Sequence, residues 1–572
     1  MSQNHRALVL IQKMVKSPPL EALSLFNNST LQGGFQHTSE SITFMLHHLL
    51  SSNMLVHAQS LIVQVLSGRI SSSLSRPSLL LEQLTQDQMS QSSIGGCLFE
   101  VIIGAHVQYQ LPEDAIFYFT QMMEQGLVPG SKIFNHLLSY LLKSNHFGKA
   151  WRLFNEFKDR TALDLYSFGI MIKGCCEAGD LNKGFQILVQ LEEMGWSPNV
   201  VIYTTLIDGC CKNADIERAK NLFCKMKELS LVPNQYTYTV LINGFFKKGL
   251  EKDGFELYEK MKLDGIIPSL YTYNCLINEH CNNGKISRAF ALYDEMRQQG
   301  IACNVVTYNV LIGGLCRKMR VVKAEKLMHQ MKKVGISPNI VTFNLLIDGF
   351  CTVGNLDQAL SLFNHLKLNG LSPSLVTYNV LIAGLARAQN LAGVADVVRE
   401  MEERGISPSK VTYTILIDAF IRLNDMERAS ETYSSMENAG LVPDVYTFGV
   451  LIHGLCRNGN MKEASKLFKS MGEKQLEPTD VIYNMIIFGY CKEGNSYRAL
   501  RLLKQMTENR MVPNVASYLS TIRVLSKDRK WNEAEVLLKE MVVLGLKPSV
   551  SIYNMISKAR DDSLVRPQIT LV

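Results

Sequence analysis

Apolar residues in this chain form paired helical patterns that recur every 35 residues. In residues 200–234, Tyr203, Leu206 and Ile207 begin an i, i+3, i+4, i+7 spacing, and Ala219 and Leu222 begin a second one after a polar turn. This spacing places apolar side chains along one face of an α-helix. The pattern therefore predicts two amphipathic helices in every repeat.

Proline and glycine mark the boundaries of these repeats. A proline closes most of them, and a glycine three residues earlier suits a helix that ends in a left-handed conformation. The prolines are Pro198, Pro233, Pro268, Pro338, Pro373, Pro408, Pro443, Pro478, Pro513 and Pro548, with Cys303 in place of one member. We define position 1 as the second residue after each proline. Repeats 1 to 13 are then 96–130, 131–164, 165–199, 200–234, 235–269, 270–304, 305–339, 340–374, 375–409, 410–444, 445–479, 480–514 and 515–549.

The two ends of the chain depart from this pattern. Residues 1–38 are basic and rich in Ser, Asn and Gln, which predicts either an organelle transit peptide or a flexible N-terminus. Residues 39–95 are expected to form a degenerate capping hairpin followed by a Ser- and Gln-rich linker. Residues 550–572 are expected to form a partial C-terminal capping repeat and a tail.

A single hairpin cannot bury both of its apolar faces, so neighbouring hairpins must stack and share a core. The sequence therefore predicts an all-α fold, a solenoid of tandem helix-turn-helix repeats with an extended concave surface. Methionine recurs near the end of the second helix, as at Met226 and Met261, and is expected to fill the core between hairpins.

Composition adds few constraints. The chain is 47% apolar and 19% charged, and its net charge of +7 permits a polyanionic partner without demanding one. No apolar run approaches the roughly 18 residues of a membrane span. Most of the thirteen cysteines follow the repeat, as at Cys176 and Cys211, so we expect core residues rather than disulfides or metal ligands. No cofactor or metal is expected.

The opening of the first helix carries a family resemblance. Residues 306–312 and 376–382 are both VTYNVLI, and residues 341–347 and 411–417 are VTFNLLI and VTYTILI. Tetratricopeptide repeats have 34 residues and a different first helix. With the Gly-x-x-Pro ends, residues 96–549 resemble the pentatricopeptide repeat family, of the P-class of plant organellar RNA-binding proteins. The resemblance implies a right-handed superhelix that binds single-stranded RNA, one base per repeat, and carries no catalytic centre.

The resemblance also implies which residues contact RNA. Positions 5 and 35 of one repeat form a base-recognition pair, and an apolar residue at position 2 packs against the base. The pairs are Asn135/Asp164, Thr204/Asn234, Thr239/Ser269, Asn274/Asn304, Asn309/Asn339, Asn344/Ser374, Asn379/Ser409, Thr414/Asp444 and Asn484/Asn514. The position-2 residues are Val201, Tyr236, Tyr271, Val306, Val341, Val376, Val411, Tyr446 and Val481.

Some repeats depart from this code. Gly169/Asn199, Gly449/Thr479 and Leu519/Ser549 lie outside it, because Gly and Leu side chains offer no hydrogen-bonding group to a base. Lys132, Ala516 and Ser551 are not bulky apolar residues, which argues against base packing at the ends of the array. From repeat 2 to repeat 12, toward the 3′ end, the family code gives U, any base, A, A, pyrimidine, pyrimidine, C, C, G, any base and pyrimidine.

The polar residues at position 35 also have a structural interpretation. Asn, Ser and Asp directly before a helix are common N-caps, which would explain why they are small and polar. Capping does not explain the alternation of Asn and Thr at position 5, and Thr at position 3, as in Thr237, would offer another cap. We therefore favour base recognition.

A cation recurs at position 13, at the end of the first helix. A positive charge there either compensates the helix dipole or contacts RNA phosphates, and we favour phosphate contact. The residues are Lys212, Lys247, Arg317, Arg387, Arg422, Arg457, Lys492 and Lys527.

The sequence favours a binding function over an enzymatic one. Residues 550–572 contain no His or Cys, and histidines such as His280 and His453 stand alone in helices without ligand spacing. We expect a monomeric RNA-binding protein acting in mitochondrial or, alternatively, chloroplast RNA maturation, through intron splicing or transcript stabilisation, with other RNA-processing factors as further partners. The alternative function is a protein-interaction scaffold.

Overall fold

The computed structural model describes residues 3–30, 35–70, 93–159, 163–548, 552–554 and 556–557, and their regular secondary structure is α-helical. The predicted all-α fold of tandem hairpins is confirmed. The chain divides into two compact units, Met1–Cys275 and Leu276–Val572, and the boundary falls within a helix, Leu270–Asn282. Each unit is a stack of hairpins and is described by itself.

Every repeat from 2 to 13 begins its first helix at position 1. These first helices are Ser131–Lys143, Leu165–Glu177, Val200–Lys212, Gln235–Lys247, Leu270–Asn282, Val305–Arg317, Ile340–Thr352, Leu375–Arg387, Lys410–Arg422, Val445–Arg457, Asp480–Glu493 and Val515–Lys527. The second helices are Phe147–Phe157, Leu181–Glu193, Ile216–Glu228, Glu251–Leu263, Ile286–Gln298, Val321–Lys333, Leu356–Leu368, Leu391–Glu403, Met426–Asn438, Met461–Glu473, Ser496–Glu508 and Trp531–Val543.

The helices that precede repeat 2 do not all follow the repeat register. They are Gln3–Val15, Pro19–Thr30, Ser39–Ser51, Leu55–Leu66, Ser93–Gln108 and Pro112–Glu124. Repeat 1 begins its first helix at Ser93, three residues before the predicted start. Residues 3–30 form a helical pair that buries Ala7, Met14 and Phe26, and the sequence pattern predicted no helices there. Cleavage of a transit peptide in this region stays a prediction. Residues 71–92, which are most of the predicted linker, and residues 558–572 lie outside the described residues.

The core follows the repeat pattern. The first helix of a repeat packs on its own second helix and on the first helix of the next repeat. Aromatic residues at position 4, such as Tyr203, Tyr238 and Phe343, are fully buried. The methionines near the end of the second helix are buried as predicted: Met226, Met261, Met296, Met331, Met401, Met436, Met471, Met506 and Met541. Shared cores of this kind make each hairpin depend on its neighbours for stability.

The recurring cysteines lie in the core, as predicted, and their thiols are free. Cys176, Cys211 and Cys316 are buried, and Cys491 is half-buried. Burial raises the pKa of the Cys211 thiol to about 12, with the neighbouring Cys210 and Asp208 adding to the shift. Because the thiolate is the reactive and metal-binding form, such thiols are inert at neutral pH.

The glycine before each closing proline takes the conformation that its position requires. Gly265 and Gly440 both have φ of +73°, in the left-handed region that residues with a Cβ rarely adopt. Each follows directly after the second helix and its C-cap residue, so the chain turns there into the next repeat. Within the described residues, no helix has both the length and the apolarity to cross a membrane.

Candidate nucleic-acid interface

The apolar residues at position 2 are solvent-exposed, unlike those of the core. Their exposed fractions run from 47% at Val341 to 82% at Tyr446. All nine predicted base-packing residues belong to this set, which we call the position-2 row. Tyr166, at position 2 of repeat 3, is 68% exposed and extends the row, although sequence reasoning missed it. A regular row of exposed apolar side chains is characteristic of a binding surface.

Residues at position 35 are N-caps of the following first helix. Asn339 lies directly before Ile340–Thr352, and its Oδ1 accepts a hydrogen bond from the backbone N–H of Thr342 at 3.1 Å. The same bond is made by Asp164, Asn199, Asn234, Ser269, Asn304, Ser374, Ser409, Asp444 and Asn514. Capping is therefore a structural role of position 35, and a base contact would have to use the atoms that the cap leaves free.

The suggestion that Thr at position 3 offers an alternative cap is wrong. Thr342 lies at the third helical position and is fully buried, and its hydroxyl accepts the backbone N–H of Asn339 at 3.2 Å. It thus forms the second half of a capping box whose N-cap is position 35.

The two members of a base-recognition pair lie next to each other. Asn309 Nδ2 donates to Asn339 Oδ1 at 3.3 Å, and Asn135 Nδ2 donates to Asp164 Oδ1 at 3.1 Å. Residues 29 or 30 positions apart in sequence meet here because the position-35 residue caps the adjacent first helix. The predicted pairing of positions 5 and 35 in space is present in these two repeats.

Accessibility of position 5 differs between the two units. In Met1–Cys275 the position-5 members of the predicted recognition pairs are buried, with exposed fractions of 3% at Thr204 and 2% at Thr239. In Leu276–Val572 the corresponding Asn309, Asn379 and Thr414 are half-buried. Position 5 of the recognition pairs is therefore more accessible in the second unit than in the first.

One concavity brings together four of the predicted positions. A cavity of about 410 Å³ in the first unit is lined by Tyr236 and Tyr271 from the position-2 row and by the pair Thr239 and Ser269. Lys212 and Lys247, from position 13 of repeats 4 and 5, lie on its wall. Two aromatic residues, two polar residues and two cations thus line one cavity, together with Asp208, the ion-pair partner of Lys212.

The cations of position 13 lie in the last turn of the first helix, where they compensate the helix dipole. Their surroundings differ. Lys212 and Arg422 each form an ion pair at 2.7 Å with Asp208 and Asp418, four residues earlier. Arg387 lies 3.5 Å from Asp348 of the preceding repeat, and Arg317 donates to the Asn282 side chain at 3.0 Å. In the described residues, Arg457 and Lys527 have no acidic partner. Phosphate contact stays a prediction.

Two recognition pairs contain a carboxylate. Burial raises the pKa of Asp444, but hydrogen bonds from the Thr447 backbone and hydroxyl, together with the charge of Lys410 at 3.7 Å, hold it below its ordinary value. Burial likewise raises the pKa of Asp164, and hydrogen bonds from Ser167 and Asn135 outweigh that effect. Both side chains are therefore carboxylates at neutral pH and act as hydrogen-bond acceptors. The described residues contain no group of three or more His, Cys, Asp or Glu placed to hold a metal ion.

Comparison with known proteins identifies the repeats. The PPR repeat family matches residues 129–177, 163–212, 198–247, 239–282, 268–317, 303–352, 338–387, 373–422, 411–457 and 478–527, and the PPR repeat matches 446–476 and 516–546. This chain belongs to the PPR repeat family. The resemblance seen in the first helices is thereby confirmed.

Several relatives within this PPR family are plant proteins. A pentatricopeptide repeat-containing protein of Arabidopsis thaliana is 55% identical over 204 residues, which cover 36% of each chain. The small ribosomal subunit protein mL103 (rPPR7) of the same plant is 30% identical over 111 residues, 19% of this chain and 27% of that protein. The matched segments thus span about a third of these relatives or less. More distant relatives include proteins named as mitochondrial and as chloroplastic.

Among solved structures, the maize pentatricopeptide repeat protein PPR10 shares the fold. Its crystal structure superposes with a TM-score of 0.67 at 22% identity, covering 99% of this chain and 87% of PPR10. The same protein has also been crystallised in complex with an 18-nt psaJ RNA element, and that structure superposes with a TM-score of 0.43 at 19% identity over 98% of each chain.

Proposed function

We propose that this protein binds single-stranded RNA along its first helices, with one base held at each recognition pair and with no chemical step. Membership of the PPR repeat family supports this, since maize PPR10, which has the same fold, is known in complex with an RNA element. Sequence-specific recognition of RNA generally uses unpaired bases, whose Watson–Crick edges are free.

The observation that carries the proposal is the cavity between repeats 5 and 6. A base inserted between Tyr236 and Tyr271 would stack on aromatic rings, a contact that contributes about 1–3 kcal/mol per base. Its edge would face Thr239 and Ser269, and its phosphates would lie near Lys212 and Lys247. Stacking, edge recognition and charge neutralisation each contribute to RNA binding, and residue types suited to all three line this cavity.

The ionised carboxylates support particular base preferences. Uracil and guanine present a ring N–H donor on the Watson–Crick edge, whereas cytosine and adenine present a ring nitrogen acceptor. Asp164 and Asp444 accept hydrogen bonds but cannot donate them. The ring N–H of uracil or guanine is a donor that such a carboxylate can accept, which fits the family code's uracil at repeat 2 and guanine at repeat 10.

The cellular role that we propose is RNA maturation in mitochondria, through intron splicing or transcript stabilisation. The support is the set of relatives, which includes organellar proteins, together with the basic N-terminal residues. Immunoprecipitation of the tagged protein followed by sequencing of the bound RNA tests the role. Recovery of a defined organellar transcript is expected, and recovery of proteins without RNA would favour the scaffold function.

Binding is tested by selecting RNAs from a randomised pool on the purified full chain. The expected consensus is U, any, A, A, pyrimidine, pyrimidine, C, C, G, any, pyrimidine. Tyr236→Ala should weaken binding roughly fivefold or more, because a stacking surface is removed. Tyr497→Ala, which removes an aromatic residue that is 66% exposed on a second helix, is the matched control and should leave affinity unchanged. Selection of no RNA above background would overturn the proposal.

A further inference from the structure

Position 5 of each repeat varies together with position 3 of the next. Where position 5 is Asn or Thr, the following position 3 is always Ser or Thr. These couples are Asn135 with Ser167, Thr204 with Thr237, Thr239 with Thr272, Asn274 with Thr307, Asn309 with Thr342, Asn344 with Thr377, Asn379 with Thr412, Thr414 with Thr447 and Asn484 with Ser517. Where position 5 is Glu, Gly or Leu, the following position 3 is always Ile: Glu100 with Ile133, Gly169 with Ile202, Gly449 with Ile482 and Leu519 with Ile552. No repeat breaks the rule.

A hydrogen bond joins the coupled residues across the repeat boundary. The Thr342 hydroxyl donates to Asn309 Oδ1 at 2.7 Å, and the Thr412 hydroxyl donates to Asn379 Oδ1 at 2.7 Å. Equivalent bonds are Ser517 to Asn484 at 2.7 Å, Thr204 with Thr237 at 2.7 Å, Thr239 with Thr272 at 2.7 Å and Thr414 with Thr447 at 2.9 Å. The threonines at position 3 are fully buried, so water does not compete for these bonds.

In repeats 8 and 2 the position-3 hydroxyl contacts position 35 and not position 5. In repeat 8 the Thr377 hydroxyl lies 3.1 Å from Ser374, and Asn344 Oδ1 is buried with no hydrogen-bond partner. In repeat 2 the Ser167 hydroxyl donates to Asp164, which itself accepts from Asn135. The hydroxyl at position 3 therefore contacts the recognition pair in these repeats as well, through position 35.

Capping alone does not account for the hydroxyl. At the boundary between repeats 3 and 4, Asn199 caps the helix by accepting the Ile202 backbone N–H at 3.0 Å, although Ile202 has no hydroxyl. The first helix of repeat 4 forms in the same register as its neighbours. The N-cap thus needs no hydroxyl at position 3, and the hydroxyl is present only where position 5 carries a polar side chain without charge.

The bond decides which atoms a base would meet. An Asn amide has an acceptor oxygen and a donor nitrogen, and rotation by a half-turn exchanges them. In repeat 7, Thr342 holds Oδ1 of Asn309, while Nδ2 of the same amide donates to Asn339. Both ends of the amide are thereby assigned, and the donor and acceptor capacity left for a base is fixed.

We infer that the buried Ser or Thr at position 3 is a positioning residue that sets the base specificity of the preceding repeat by orienting its position-5 side chain. This inference rests on the proposed RNA-binding function and goes beyond the two-residue recognition pair. The unit of recognition is then a triad formed by positions 5 and 35 of one repeat and position 3 of the next.

The test removes the hydroxyl of Thr412, which serves the Asn379/Ser409 pair of repeat 9. Thr412→Val keeps the side-chain shape, and Thr412→Ser keeps the hydroxyl. Affinity of the full chain is measured for RNAs that differ only at the nucleotide opposite repeat 9, and for RNAs that differ only opposite repeat 10. We expect Thr412→Val to reduce cytosine discrimination at repeat 9 about fivefold or more, with guanine discrimination at repeat 10 unchanged. Thr412→Ser should behave as the wild type.

If the folded Thr412→Val protein still discriminates cytosine at repeat 9, the inference is overturned. It is also overturned if the variant loses the same affinity for all RNAs, because Thr412 would then have a purely structural role. A wild-type chain without preference at either nucleotide would instead refute the proposed function itself, a distinct result.

A gain-of-function variant keeps the test informative if Thr412→Val does not fold. A Cβ at Gly169 meets no atom within 4 Å, so the backbone there has room for a side chain to begin. We expect Gly169→Asn with Ile202→Thr to give repeat 3 a pyrimidine preference about threefold or more stronger than Gly169→Asn alone. Equal preferences in the single and double variants would contradict the inference.

Discussion

Gly314 packs directly against Cys281 of the preceding repeat: a Cβ on Gly314 would lie 2.5 Å from Sγ and 2.8 Å from Cβ of that cysteine. Gly349 meets Cys316 in the same way, at 2.7 Å and 3.0 Å. Successive first helices therefore approach so closely that only glycine, which has no side chain, fits at these contacts. Because the position-2 row lies on these helices, the same contact sets the spacing at which bases would be held.

The first prediction concerns this contact. Gly314→Ala should destabilise the protein by about 1–3 kcal/mol, since the added methyl overlaps Cys281. The adjacent Gly313→Ala is the matched control, because a Cβ there meets Leu345 at an ordinary 3.4 Å. It should be neutral or stabilise by up to about 1 kcal/mol, through the reduced backbone entropy of the unfolded chain. Urea unfolding checks both, and equal effects of the two variants would show that the contact is not tight.

The second prediction concerns pH. The pKa of Asp444 is lower in the folded protein than in the unfolded chain, where it is about 3.9. Ionised Asp444 therefore stabilises the folded protein above the unfolded pKa. This stabilisation is lost as the pH falls through the pKa of the folded protein. The stability difference between wild type and Asp444→Asn should be constant from about pH 8 to 5 and should shrink below about pH 4. Guanine preference at repeat 10 should likewise not change between about pH 8 and 5. A loss of that preference within this range would show that Asp444 is protonated there.

The third prediction separates phosphate contact from dipole compensation. Arg457→Ala with Lys527→Ala should weaken binding to all RNAs alike and lower the salt slope by about 0.7 for each phosphate interaction that is removed. Lys466→Ala with Arg501→Ala removes the same charge from exposed sites on second helices and should leave the slope unchanged. If both double variants change the slope equally, the cations act through net charge and not through direct binding of phosphates.

The fourth prediction concerns the N-terminal residues. Residues 1–60 fused to a fluorescent reporter should direct it to mitochondria, because residues 1–38 are basic and contain a single acidic residue, Glu21. The matched control replaces Arg6, Lys13 and Lys16 with Gln and should leave the reporter in the cytosol. Plastid fluorescence of the unaltered fusion would contradict the mitochondrial assignment.

Much of the fold could be predicted because its signals repeat. The prolines and the apolar spacing placed the start of the first helix correctly from Ser131 to Val515. The predicted start of repeat 1 is less accurate, because no closing proline precedes its first helix, Ser93–Gln108. The helical pair in residues 3–30 was missed because its two short patterns follow no repeat.

The candidate site was predicted only in part. The exposure of the position-2 row could be predicted because these bulky apolar residues lie outside the i, i+3, i+4, i+7 spacing of the helical core. The same rule applies to Tyr166. The burial of Thr204 and Thr239 depends on how closely neighbouring helices approach, which residue patterns do not encode. The bond from Thr342 to Asn309 joins residues 33 positions apart, and only the covariation of positions 5 and 3 signals it in the sequence.

The central claim is that one repeat recognises one base through positions 5 and 35, and repeat 10 tests it most directly. In Thr414→Asn, the Thr447 hydroxyl, now 2.9 Å from the Thr414 hydroxyl, can hold the new amide as Thr342 holds Asn309, while Asp444 stays in place. Affinities of wild type and variant are measured for four RNAs that carry A, C, G or U opposite repeat 10.

We expect the wild type to prefer guanine, and Thr414→Asn to bind the guanine RNA about fivefold to a hundredfold more weakly and to recover affinity on the uracil RNA. Equal loss of affinity for all four RNAs would contradict base recognition by Thr414 and leave it a structural residue.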